Sequence, residues 1–123
     1  MTLRIIDEVF SICKVTDYED VDFSHPYIFI GQTDEENSLV CPTGSVPENT
    51  VERNDGWRAF RIGGILDFSL VGILADILKV LAEGGIGIFA ISTFNTDYIL
   101  TKSEQFDRAV GLLQSSGYEI SLI

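Results

Sequence analysis

Cations are scarce in this chain. Eight Lys and Arg stand against 19 Asp and Glu among 123 residues, a net charge of −11. A phosphate-neutralising surface needs clustered cations, and here they are scattered singly, which argues against a nucleic-acid partner. An anionic membrane surface would repel the chain for the same reason. Long apolar runs are also missing: each is broken by Asp, Lys or Glu before it could span a bilayer, so no transmembrane helix is expected. Asp7 and Glu8 interrupt the apolar N-terminal run, so no secretory signal is expected. Cysteine is limited to Cys13 and Cys41, too few for a disulfide framework. Buried free thiols in a cytoplasmic protein are the simpler reading. The one histidine, His25, precedes Pro26 in a turn, so neither a His/Cys metal centre nor any cofactor is expected.

What is present supports a folded core. Hydrophobic residues make up 46% of the chain and charged residues 22%, a composition that can bury a core rather than remain disordered. The mass of 13.6 kDa suits one compact unit or two small ones. Charge is uneven along the chain: residues 1–56 hold 12 acids and 3 bases, and residues 57–123 hold 7 acids and 5 bases. Turn-forming residues from Cys41 to Thr50, then Asn54-Asp55-Gly56, lie between the halves. They suggest a strand-rich subdomain over 1–55 and a second domain over 56–123.

In the first half, Glu8 to Val15, Tyr27 to Ile30 and Ser38 to Cys41 read as strands, with Asp34-Glu35-Glu36-Asn37 as a hairpin tip. The acidic run Asp17 to Asp22 lacks the glycine and the distant Glu of a calcium loop and reads as a solvated loop.

The second half is more regular. Trp57 to Ile62 alternates as a strand, and Gly63-Gly64 ends it. Asp67 or Ser69 can cap a helix to about Glu83, with Gly84-Gly85 as its left-handed stop. Ile86 to Thr93 and Asp97 to Thr101 read as a hairpin. Ser103 can cap a second helix, whose apolar stripe is Phe106, Ala109, Val110 and Leu113. Tyr118 to Leu122 closes the chain. The order β-α-β-β-α-β is that of an α+β, ferredoxin-like fold. Between Ser69 and Glu83 only Asp76, Lys79 and Glu83 are charged. That leaves a wider apolar arc than one sheet needs, which points to cover by another helix, from the N-terminal half or a second subunit.

Two places have the residue types for binding. The loop Gly63-Gly64-Ile65-Leu66-Asp67 leads from strand to helix, where glycines allow close approach and amides attract an anion; a tight turn is the plainer alternative. It lacks the Lys-Ser/Thr of a phosphate loop. Asp97 opens an otherwise apolar strand, with Thr93 and Asn95 nearby. Its carboxylate could meet a cationic group; equally, Asn95 and Asp97 could only stabilise the turn. Catalysis is not expected, because Ser69 and Cys13 have no candidate base.

The run Gly56-Trp57-Arg58-Ala59-Phe60-Arg61-Ile62, the segments Gly64 to Leu70 and Gly72 to Ala75, Leu81 to Thr93, and Thr96-Asp97-Tyr98-Ile99-Leu100 resemble an ACT domain over roughly residues 38–120. The resemblance is to small stand-alone proteins of two tandem ACT-like units, related to aspartate kinase regulatory domains, and to the ligand-binding repeat of CASTOR-type arginine sensors. It implies an amino-acid-binding regulatory protein that is non-catalytic and forms a homodimer or higher oligomer. Ligand contacts would come from Gly63, Gly64, Ile65, Leu66 and Asp67, from Asp97, and from Thr93, Phe94 and Asn95. The N-terminal half would be a degenerate ACT-like unit. A ligand-free interaction module with the same fold is the rival expectation.

Overall fold

The computed structural model describes residues 2–63 and 72–123. In chain order the elements are β1 (Thr2–Val15), β2 (Phe29–Gln32), β3 (Asn37–Pro42), a short 3-10 turn (Thr43–Ser45), β4 (Thr50–Ile62), α1 (Ile73–Glu83), β5 (Phe89–Ser92), β6 (Asp97–Lys102), α2 (Ser103–Ser115) and β7 (Glu119–Leu122). The fold is α+β and ferredoxin-like. The chain divides into two compact units, one of Met1–Asp7 with Arg58–Ile123 and one of Glu8–Trp57. The division falls inside β1 and inside β4.

In the first of these units the strands follow the order β7-β1-β4-β6-β5. The β-α-β-β-α-β order is present, with one addition. The last strand pairs in parallel with Thr2–Ile5, Leu3 opposite Ile120 and Ile5 opposite Leu122. The beginning of the chain thus lies between the first and last strands of the unit. The apolar side chains explain this: Leu3 is buried with Phe60, Ile62, Ile77, Leu81, Ile99, Phe106 and Leu113, and Ile5 and Ile120 pack against that group. Phe106, Ala109 and Leu113 are the buried residues of α2, and Ile77 and Leu81 those of α1. Val110 packs at the margin of the same core.

Several element boundaries differ from the sequence expectation. β1 begins at Thr2 rather than Glu8 because β7 gives its first residues a partner. β4 begins at Thr50, so Asn54-Asp55-Gly56 lies within a strand and not in a turn; Gly56, with φ 83°, absorbs the left-handed backbone there. Ser103 is the first residue of α2 and not its cap; Lys102 holds the cap position and no side chain caps the helix. Gly85, at φ 74°, supplies the stop after α1. The expected start of the first helix, capped by Asp67 or Ser69, lies outside the described residues. Within α1, Ala75 and Ala82 are exposed and Leu78 is half-buried.

In the Glu8–Trp57 unit, β3 pairs antiparallel with β1 and β2. A smaller core of Cys13, Val15, Leu39 and Cys41 is lined by Tyr18, Val21, Ile28 and Val46. Both cysteines are free and buried. A hydrogen bond with Cys41 holds the Cys13 thiol below its ordinary pKa, and the same bond together with burial pushes Cys41 up. No helix among the described residues is long and apolar enough to cross a membrane.

Truncation separates core from rim. Leu81→Ala, at a side chain with no solvent exposure, is expected to cost about 2–5 kcal/mol in urea denaturation. Leu122→Ala, at a residue 64% exposed, should change stability by no more than about 0.5 kcal/mol.

Candidate functional site

The site is built where β4 ends. Phe60 and Ile62 belong to the helix-covered core, and a strand alternates its faces, so Ala59 and Arg61 point to the opposite side. The Gly63 N–H donates to the Thr2 carbonyl at 2.8 Å. That amide is therefore used inside the sheet and is not open to a ligand. Gly63 serves instead by its lack of a side chain: a Cβ there would sit 3.0 Å from the Thr2 carbonyl oxygen. Gly64, Ile65, Leu66 and Asp67, the remaining loop residues expected at the site, lie outside the described residues.

The β5–β6 hairpin is held to this strand end by one side chain. Thr96, only 7% exposed, donates its hydroxyl to the Ile62 carbonyl at 2.8 Å. The turn itself closes through threonines. The Thr93 N–H donates to the Thr96 carbonyl at 2.8 Å, the Thr93 hydroxyl donates to the same oxygen at 3.0 Å, and the Thr96 N–H donates back to the Thr93 hydroxyl at 3.4 Å. Asn95 and Asp97 make none of these bonds.

Asp97 stands directly opposite Ser92, whose hydroxyl donates to its Oδ1 at 2.5 Å. Parity places Asp97 on the same face as buried Ile99. Thr93, Phe94 and Asn95 are exposed at the tip, Phe94 by 78%. The structure thus brings Asp97, Thr93 and the hairpin tip beside Ile62 and Gly63, where the strand-to-helix loop begins. The sequence places Ser92 and Thr96 in this hairpin without showing their roles: Thr96 positions the hairpin and Ser92 orients the acid. A Thr-x-x-Thr turn ahead of an apolar strand was the signal for Thr96.

The same hairpin occurs earlier in the chain. Phe29 pairs with Val40 and Gln32 with Asn37; Phe89 pairs with Leu100 and Ser92 with Asp97. Every paired position in the later hairpin is numbered 60 higher. Thr33 closes the earlier turn on Glu36 as Thr93 does on Thr96. Where the later hairpin has Asp97, the earlier has Asn37, whose amide nitrogen donates to the Thr16 carbonyl at 2.9 Å.

The other polar groups hold local structure. In the acidic loop, Asp17 accepts the Glu19 N–H at 3.0 Å and Asp22 accepts the Ser24 N–H at 3.0 Å, as solvated Asx turns do. The bonds from Ser24 lower the Asp22 pKa. Asp20 and Asp22 line an open cleft with the segment Gly44 to Glu48. Among the described residues there is no group of three or more metal-binding side chains. His25 accepts the Tyr27 N–H at 3.2 Å on Nδ1 and turns Nε2 to Glu8 at 3.5 Å.

The ACT domain family model matches residues 52–115. A structural-genomics protein of Agobacterium tumefaciens is 28% identical with a TM-score of 0.87, covering 99% of this chain and 92% of that one. A structure of aspartokinase alpha and beta subunits is 17% identical, with a TM-score of 0.67 and coverage of 94% and 96%. The aspartate kinase of Clostridium acetobutylicum is 12% identical, with a TM-score of 0.63, over 91% of this chain and 32% of the kinase. The two kinases share the fold. No curated protein matches the chain significantly.

Thr96→Val keeps the shape of the side chain and leaves the buried Ile62 carbonyl without its donor. It is expected to cost about 1–3 kcal/mol in chemical denaturation, and hydrogen exchange should speed up first in β5 and β6.

Proposed function

The chain belongs to the ACT domain family, and from that premise we propose that it is a non-catalytic regulatory protein that binds a free amino acid at the end of β4. The observation that carries the proposal is the placing of Asp97. The Thr96 hydroxyl fixes its hairpin to Ile62, and the Ser92 hydroxyl holds its Oδ1. A carboxylate oriented at a strand end suits the ammonium of an amino acid or a basic side chain. The amides beyond Gly63 would take the α-carboxylate at the entrance to the first helix, with Thr93, Phe94 and Asn95 rimming the ligand.

The repeated hairpin supports a tandem origin. Residues 1–55 are read as a second, degenerate ACT-like unit, in the manner of the arginine sensors of the CASTOR type and of aspartate kinase regulatory regions. In that unit the three-residue turn Thr43–Ser45 stands where α2 follows the later hairpin, and Asn37 replaces the acid and is bonded within the chain. One amino acid per chain, held by the C-terminal unit, follows from this. Output goes through a homodimer or a partner that covers the half-buried Leu78 and exposed Ala75 and Ala82 of α1. The buried free thiols of Cys13 and Cys41 suit the cytoplasm.

Calorimetry against the twenty amino acids tests the proposal. The binder, at a hundredfold excess over its Kd, should stabilise the protein by about 2.7 kcal/mol, and the ligand should change the sedimentation coefficient. Asp97→Ala is expected to abolish the binding heat while costing no more than about 1.5 kcal/mol of stability, the worth of the bond from Ser92. No response to any amino acid would identify a ligand-free interaction module instead. Unfolding by Asp97→Ala with affinity retained would assign the residue to structure.

A further inference from the structure

On the sheet face away from the helices, two arginines hold opposite positions on neighbouring strands. β1 and β4 run antiparallel: Thr16 N–H donates to Asn49 O at 3.2 Å, and Gly63 N–H to Thr2 O at 2.8 Å. The second bond makes Gly63 and Thr2 opposite partners, so two residues further along Arg61 faces Arg4. Alternation agrees, since Leu3 and Ile62 turn into the core and a Cβ at Gly63 would meet the Thr2 Cβ at 3.7 Å and the Arg4 Cγ at 3.6 Å.

Like charges directly opposite on neighbouring strands destabilise a sheet. Chance is a poor explanation here, because the chain has only 8 cationic residues against 19 acids. Among the described residues, the ion pairs are Lys14–Glu52 and Arg53–Asp55, with His25 beside Glu8, and none of these contacts involves Arg4 or Arg61. The Arg4 Nε is buried with no hydrogen-bond partner. A buried donor without an acceptor costs stability unless something outside the chain supplies one. Arg61 donates from Nη1 to the Tyr98 hydroxyl at 3.3 Å, with its guanidinium 6.0 Å from that ring's centre. This holds the fork in place on the same face. A side chain at position 63 would press on the Thr2 carbonyl beside the Arg4 stem, and glycine avoids this.

We propose that Arg4 and Arg61, braced by Tyr98, form a binding site for a small oxyanion, a phosphate or a dicarboxylate. Two guanidiniums on one face match an oxygen-rich dianion through paired N–H donors. The net charge of −11 repels a polyanion such as nucleic acid far more strongly than a dianion, which at close range meets the local field of the two guanidiniums. The site is separate from the amino-acid pocket, since Asp97 lies on the opposite face.

The test is titration with inorganic phosphate and, separately, with succinate, at ionic strength held constant with chloride. At least one should bind and raise the melting temperature; the active probe tells a phosphate from a dicarboxylate ligand. Arg4→Met and Arg61→Met should each weaken binding at least tenfold. Arg61→Lys, which keeps the charge but loses the fork, should fall between them and the wild type. Without the anion, Arg61→Met should melt no lower than the wild type, because it relieves repulsion. Asp97→Ala should leave this binding unchanged, so the two sites fail independently. Absence of binding by both probes, or equal affinity in the Met variants, overturns the proposal.

Discussion

One buried hydroxyl ties the β5–β6 hairpin to the end of β4. Thr96 gives its proton to the Ile62 carbonyl, across 34 residues of chain and at the end of β4, just where regular sheet pairing stops. An unpaired carbonyl at a buried strand end is costly, and a threonine on the neighbouring hairpin supplies what the missing ladder would have supplied. The consequence goes beyond stability. With the hairpin anchored, the next residue, Asp97, is fixed beside the end of β4, and Ser92 needs only to set its rotation. The placing of Asp97 thus follows from satisfying one backbone acceptor.

The earlier hairpin shows what happens without that demand. Its turn is closed by Thr33 as the later one is by Thr93, with the same pairing register. The position of Asp97 is held by Asn37, whose side chain is consumed by the Thr16 carbonyl. An amide donating to backbone cannot also present a negative charge. The hairpin frame is repeated, and the acid at its strand start is not.

The regular elements could be read from the sequence. The stripe Phe106, Ala109, Leu113 is the buried face of α2, and the lone acid opening an apolar strand drew attention to Asp97. Local patterns misled where a distant partner decided the outcome. Asp7 and Glu8 break the apolar run of β1, yet Thr2–Ile5 is a strand because β7, more than a hundred residues later, pairs with it. Asn54-Asp55-Gly56 has turn composition but lies in β4, where Asp55 accepts from Ser11 at 2.6 Å and from Arg53 at 3.0 Å. Such partners supply the energy that propensity opposes. The role of Thr96 was illegible for a similar reason: its partner is a carbonyl, which no residue type announces.

The insertion of Thr2–Ile5 also explains the charge pattern of the opposite face. A simple β-α-β-β-α-β sheet would set its last strand against β4, and Arg61 would face whatever β7 carried. With β1 in between, Arg61 faces Arg4 instead, and Leu3 completes the helix side of the core. Period-two alternation makes these outcomes inseparable: the register that buries Leu3 next to Ile62 also brings two guanidiniums together. Sliding β1 by one residue would part the arginines but expose Leu3. Burying a leucine contributes about 1.5–3 kcal/mol, whereas a half-exposed like-charge pair costs less than that. The core therefore sets the register, and the repulsion remains on the face away from the helices for an anion to neutralise.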